Sequence, residues 1–179
     1  MSQSEQAKSG QASGRKPRRT FWVFVRHSGC PFCHRWLERL SGFLPRLREK
    51  GVAVKVAHPG KPGDLDPAAE RRGVGGVEIV ADPGGELFSL FGFPRGGVGQ
   101  WLGPRVWLEG FRAVVREGCP VGLPRGDVAR LGGVAVTEGE RTLYLWVQPH
   151  SGAEPPWEEA IDQCLAGLAD EDQQGPREA

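Results

Sequence analysis

Phe21-Trp22-Val23-Phe24-Val25-Arg26-His27-Ser28-Gly29-Cys30-Pro31-Phe32-Cys33 is the stretch whose reading organises the rest of the chain. Its first five residues are apolar without interruption, aromatic or β-branched, the pattern of a strand covered on both faces. A segment of helical period follows Phe32, so two cysteines fall at a strand-to-helix junction. Unpaired N–H groups and the positive end of the helix dipole favour an anion there. A Cys-x-x-Cys in such a place can lower a thiol pKa from about 8.5 into the range of roughly 3.5 to 7.5. The stretch therefore predicts a dithiol/disulfide redox site.

Downstream, Trp36, Leu37, Leu40, Phe43, Leu44 and Leu47 recur at helical spacing, with Arg35, Glu38, Arg39, Arg46, Arg48 and Glu49 on the remaining face. Pro45 is expected to kink this helix, and Lys50 with Gly51 to end it. A second strand is expected over 52–57, making a right-handed βαβ unit with the first strand over 21–26 and hence a partly parallel sheet. A loop follows, then a short helix capped by Asp66 with Pro67 at its first position. A third strand over 77–81, the turn Asp82-Pro83-Gly84-Gly85 and a short helix from Glu86 come next. Residues 92–104 read as a glycine-rich loop and 105–116 as a helix. Strands over 134–137 and 142–147, separated by Glu138-Gly139-Glu140, form a hairpin, and a last helix spans 157–168.

Length and composition bound the rest. At 179 residues the chain fits one domain with appendages. The expected division is a disordered basic leader over 1–20, a domain over 21–169 and a polar tail over 170–179. The formal net charge of +1 gives no field that argues for specific nucleic-acid binding or an anionic membrane surface. No stretch approaches the roughly 20 apolar residues of a membrane helix, and no apolar signal-peptide core opens the chain. A cytoplasmic protein is expected. Of the four cysteines only Cys30 and Cys33 are closely spaced, which speaks against a secreted disulfide framework. Cys119 and Cys164 read as isolated, chemically inert residues.

Several landmarks resemble one family. These are Phe24 to Cys33, Leu44-Pro45, Gly51-Val52, Ala81-Asp82-Pro83-Gly84-Gly85-Glu86-Leu87-Phe88, Gly126-Asp127, Gly132-Gly133-Val134 and His150-Ser151-Gly152-Ala153. Together they look like the peroxiredoxin-like branch of the alkyl hydroperoxide reductase/thiol-specific antioxidant proteins, selenoprotein U type. The resemblance covers roughly residues 21–168. It implies an α/β thioredoxin-like fold, a central mixed sheet with helices on both faces, and redox-active Cys30 and Cys33. The family's extra N-terminal strand has no counterpart in residues 1–20. Gly132 and Gly133 stand where a thioredoxin or glutaredoxin carries a cis-proline.

Two cysteines separated by two residues allow one thiol to attack and the other to resolve. By analogy with thioredoxins, Cys30, just before the helix where solvent can reach it, is the expected attacking thiol, and Cys33, one turn further in, the resolving thiol. Pro31 suits a helix start, and Phe32 shields the pair or offers a partner an apolar contact. Arg26, His27 and His34 are close enough in sequence to lower a thiol pKa or move protons. His27-x-x-Cys30-x-x-Cys33 could also ligate metal, but a structural zinc site joins two ligand pairs and the second is absent. No metal and no cofactor is expected. A peroxiredoxin holds Thr or Ser three residues before its peroxidatic cysteine, where this chain has His27, with Arg26 or Arg130 left to supply charge. The primary expectation is thus a thiol–disulfide oxidoreductase acting on protein or small-molecule disulfides and regenerated by a cellular thiol reductant. A peroxide reductase and a non-catalytic binding module are the alternatives. For the module, the segment 96–103 with Trp101 and Trp107 is the expected contact surface.

Overall fold

A computed structural model describes residues 19–95 and 129–168. Five strands form one sheet in the order β3-β2-β1-β4-β5: β1 (Arg19–Phe24), β2 (Ala53–His58), β3 (Glu78–Ala81), β4 (Gly133–Glu138) and β5 (Arg141–Val147). β1 runs parallel to β2, and β2 to β3, while β4 is antiparallel to both β1 and β5. The helices are α1 (Pro31–Glu49), α2 (Asp66–Arg71), α3 (Glu86–Leu90) and α4 (Trp157–Leu165). This is the mixed sheet expected, with β1 at its centre.

Alternation along β1 divides the core into two layers. Phe21, Val23 and Val25 face α1 and α4, meeting Trp36, Leu37, Leu40, Leu44 and Leu47 from one and Trp157, Ala160 and Ile161 from the other. Ala68 and Ala69 of α2 close the same layer. On the opposite face Phe24 packs against Phe88 of α3 and against Phe93, with Ala57 and Ala135 beneath. The Phe24 ring lies 5.1 Å from Phe88, 4.9 Å from Phe91 and 4.4 Å from Phe93, centroid to centroid. Each fully buried side chain of this size contributes about 1.5–3 kcal/mol by leaving water. Helices therefore cover both faces, as expected for this fold.

Element ends differ from expectation where side chains decide them. β1 begins at Arg19, so Arg19 and Thr20 belong to the sheet rather than to the leader. Arg19 is held there by Glu138 at 3.5 Å and by the carbonyls of Cys164 and Ala166, which it caps from across the sheet. Asp66 does not cap α2 but is its first residue, with Leu65 before it. The carboxylate that accepts a backbone N–H in this loop is Asp64, from Lys61 at 2.9 Å. Pro45 lies within α1, which continues past it to Glu49. The hairpin turn contains only Gly139 and Glu140, because Glu138 already pairs with Arg141. Gly139 there has φ +60°, a conformation costly to residues with a Cβ. The expected helix over 105–116, Gly126-Asp127, Cys119 and the glycine-rich segment with Trp101 and Trp107 lie outside the described residues.

Candidate active site

The two cysteines sit where β1 hands over to α1. Val25 still donates to Ala57 O at 2.9 Å, after which the chain turns, with Cys30 N–H on His27 O at 3.2 Å. Cys30 is extended (φ −82°, ψ 121°) and precedes Pro31, the first residue of α1. The proline's missing N–H costs nothing at that position. Both thiols are free. Against expectation, Cys30 is not open to solvent: it is 1% exposed and Cys33 4%. Its sulfur faces Arg26 and Cys33, and the Arg26 side chain is itself buried.

The surroundings treat the two sulfurs differently. Arg26 Nη2 donates to Cys30 Sγ at 3.4 Å, while the Arg26 backbone N–H donates to Cys33 Sγ at 3.3 Å. Burial alone would raise the Cys30 pKa. The hydrogen bond from Cys33, the Arg26 charge and the backbone N–H groups of Cys33 and Phe32 outweigh it and bring Cys30 down to about 6. Burial pushes the Cys33 thiol well above its ordinary value, and its hydrogen bond to Cys30 and the Cys30 charge push it further. The surroundings thus favour the negative charge on Cys30 and the proton on Cys33.

The histidines do not supply that positive environment. Burial first, then the charges of Arg26 and His34, lowers His27 to about 4, so it is neutral at pH 7. His34 is also lowered by burial, then by Arg72. Among the described residues no group of three or more His, Cys, Asp or Glu side chains converges on a point able to hold a metal ion. Phe32 is buried under Arg35, whose guanidinium lies 5.7 Å from its ring centre, so it shields the pair rather than presenting an apolar surface. Arg130 is seated across α3, donating to Ser89 Oγ at 3.3 Å and lying 5.8 Å from the Phe88 ring centre.

Arg26, Phe32, Trp36 and Gln148 line a narrow crevice beside Cys33 that is too small to admit a water molecule. Gln148 carried no expectation, although a polar residue between the apolar β5 and Pro149 is a legible signal. Buried to 2% exposure, it accepts the Gly132 N–H at 3.3 Å and donates to the carbonyls of Ser151 and Ala153, each at 3.0 Å. Its backbone N–H donates to Gly132 O at 2.9 Å. His150 instead sits in the turn beyond β5, its carbonyl accepting from Ala153. The described residues contain no cis peptide bond. At Gly132 a Cβ would strike Phe24 O and the Trp36 ring, and at Gly133 the Phe93 ring and Trp146 O. Glycine is required here by close packing, and the backbone beside the dithiol is bonded internally.

Strand order, direction and the helix leaving β1 define a thioredoxin-like α/β fold. Solved structures similar to it include a mutant of the peroxiredoxin 6 of Arenicola marina, with a TM-score of 0.58 at 14% identity. That match covers 88% of this chain and 64% of the other, so the chain spans under two thirds of that protein's length. Peroxidoxin BcpB from Mycobacterium tuberculosis gives 0.52 at 15% identity, covering 85% and 79% of the two chains. A peroxiredoxin-like protein from Aquifex aeolicus gives 0.51 at 16% identity, covering 86% and 74%. At these identities the likeness is one of fold. No protein-family model matches the chain, and a sequence comparison with curated proteins finds no match. Among the described residues no helix is long and apolar enough to cross a membrane.

Proposed function

We propose that the chain is a thiol–disulfide oxidoreductase in which Cys30 attacks and Cys33 resolves, related to the peroxiredoxin-like, selenoprotein U type proteins by the motifs quoted above. The observation that carries this reading is the asymmetry of the pair, with Cys30 brought down to about 6 and Cys33 pushed up. A nucleophile must be a thiolate at working pH, and a resolving thiol must hold its proton until its turn. The Cys30 thiolate attacks one sulfur of a substrate disulfide, forming a mixed disulfide and expelling the other sulfur as a thiolate. Loss of the Cys30 charge removes one of the influences that, beside burial, hold the Cys33 proton. Cys33 then gives up that proton and attacks Cys30 Sγ, releasing the second substrate thiolate and leaving a Cys30–Cys33 disulfide. A cellular dithiol reductant restores the pair by the reverse exchange.

The second reading is peroxide reduction, favoured by the guanidinium 3.4 Å from a buried thiolate. There Cys30 takes the terminal peroxide oxygen, an alcohol or water leaves, and Cys33 condenses with the sulfenic acid to release water. One comparison separates the readings. The Cys33→Ser variant is incubated with a disulfide or a hydroperoxide and analysed by intact mass. We expect a stable mixed disulfide at Cys30 with the first, formed faster than sulfenic acid with the second. Faster sulfenic acid formation favours the peroxidase, and no adduct with either oxidant leaves a non-catalytic binding module.

A further inference from the structure

A cavity lined by described residues lies away from the dithiol, along β3. It has a volume of about 670 Å³, within the range of ligand-binding clefts. Five consecutive residues, Val77 to Ala81, line it. Successive residues of a strand point to opposite faces, so a cavity touching every one of them runs along the strand's edge. Among the described residues no strand pairs with that edge, because β3 ends the sheet.

Register identifies the groups on that edge. Asp82 N–H donates to His58 O, and Val80 pairs with Ala57, so even-numbered residues of β3 turn their backbone groups toward β2. Ile79 and Ala81 therefore turn theirs outward into the cavity. Edge strands are ordinarily blunted by a proline, a bulge or an inward-pointing charge. β3 has no proline or bulge; its four residues carry one charge, Glu78 at the start, and Ile79, Val80 and Ala81 are half-exposed.

The opposite wall and rim carry one sign of charge. Among the described residues that line the cavity, the carboxylates are Asp66 and Glu70 of α2 and Glu78 of β3, and none is a lysine or arginine. Glu78 is bonded to Lys55 at 2.9 Å, whereas Asp66, which faces His58 electrostatically, and Glu70 are exposed and make no salt bridge among the described residues. From that edge and this charge we infer that the groove binds an extended, basic segment of a partner protein, which adds to the sheet as a strand beside β3. Main-chain hydrogen bonds to Ile79 and Ala81 provide the attachment, and Lys or Arg side chains meeting Asp66 and Glu70 provide the selection.

The test uses the full reduced chain and a short capped peptide of alternating Lys and Thr, with a Glu/Thr peptide as control. Binding of the Lys peptide alone is expected, with the Ile79 and Ala81 amides gaining hydrogen-exchange protection. Methylating alternate peptide nitrogens should abolish binding in one parity and spare it in the other. Reversing Asp66 and Glu70, both exposed, to Lys should weaken binding about five- to tenfold, with circular dichroism checking that the variant is folded. The same double variant should alkylate at Cys30 at the parent rate, so failure here is separate from failure of the proposed redox function. Equal binding of both peptides, equal binding of both methylated forms, or unchanged exchange at Ile79 and Ala81 overturns the inference. Self-association of the chain through this edge in preference to the peptide also overturns it.

Discussion

At the scale of residues, the chemistry of the site rests on Arg26. Its guanidinium is one of the groups that draw Cys30 down to about 6 against the cost of burial. Arg26→Met keeps the length and packing of the side chain but removes the charge. The pH midpoint for iodoacetamide labelling of Cys30 is expected to rise by at least about one unit. An unchanged midpoint would mean that the backbone dipoles suffice. His27 gives a second expectation. Its folded pKa, about 4, lies below the ordinary 6.5, so the unfolded chain binds more protons between those values. Stability is then fully present above pH 6.5 and lost as pH falls toward 4, by about 3 kcal/mol in all. Urea unfolding at pH 7 and pH 4.5 should show a smaller acid loss in His27→Gln than in the parent. The position of these residues was legible in the sequence, but their states were not. Whether Cys30 faces water depends on where the Arg26 side chain folds, and whether His27 is charged depends on how deeply both are buried. Neither is a property of spacing.

At the scale of elements, the strand and helix pattern was readable because both layers of the core are written into β1. Phe21, Val23 and Val25 alternate with Trp22 and Phe24, and each set found its own layer. What escaped the sequence were contacts between distant segments. Asp82 accepts the N–H groups of Glu86 at 2.9 Å and Phe88 at 3.1 Å, building the start of α3 from a turn residue. Gln148 ties β5 to Gly132, and nothing near either residue announces the other. Gly132 and Gly133 were noted for the proline they replace, whereas their structural meaning is the absence of a side chain. Gly133→Ala sets a methyl group against Phe93 and Trp146 O, so a stability loss of about 2–3 kcal/mol is expected. Equilibrium urea unfolding measures it, and a loss near zero would show that β4 can shift to accommodate the methyl.

At the scale of the whole molecule, Cys30 and Cys33 belong to the same packed cluster as α1, α4 and the sheet face beneath them. A redox pair embedded in the main core cannot change its bonding without its neighbours registering the change. The fold class was legible at this scale because a βαβ unit and a hairpin leave few arrangements of a five-stranded sheet. The place of β3 at the end of the described sheet was not, since strand order depends on pairing between distant segments. One consequence is optical. Trp36 shares its crevice with Cys33, and its ring lies 5.9 Å from Trp146 and 6.3 Å from Trp157. A disulfide accepts an electron from an excited indole far more readily than a thiol does, and neighbouring indoles pass excitation among themselves. Tryptophan emission should therefore brighten on reduction of the pair, and Trp36→Phe should flatten the response. The chain would then carry its own lamp, dark when oxidised and lit when reduced, from which the state of a buried dithiol can be read without a label.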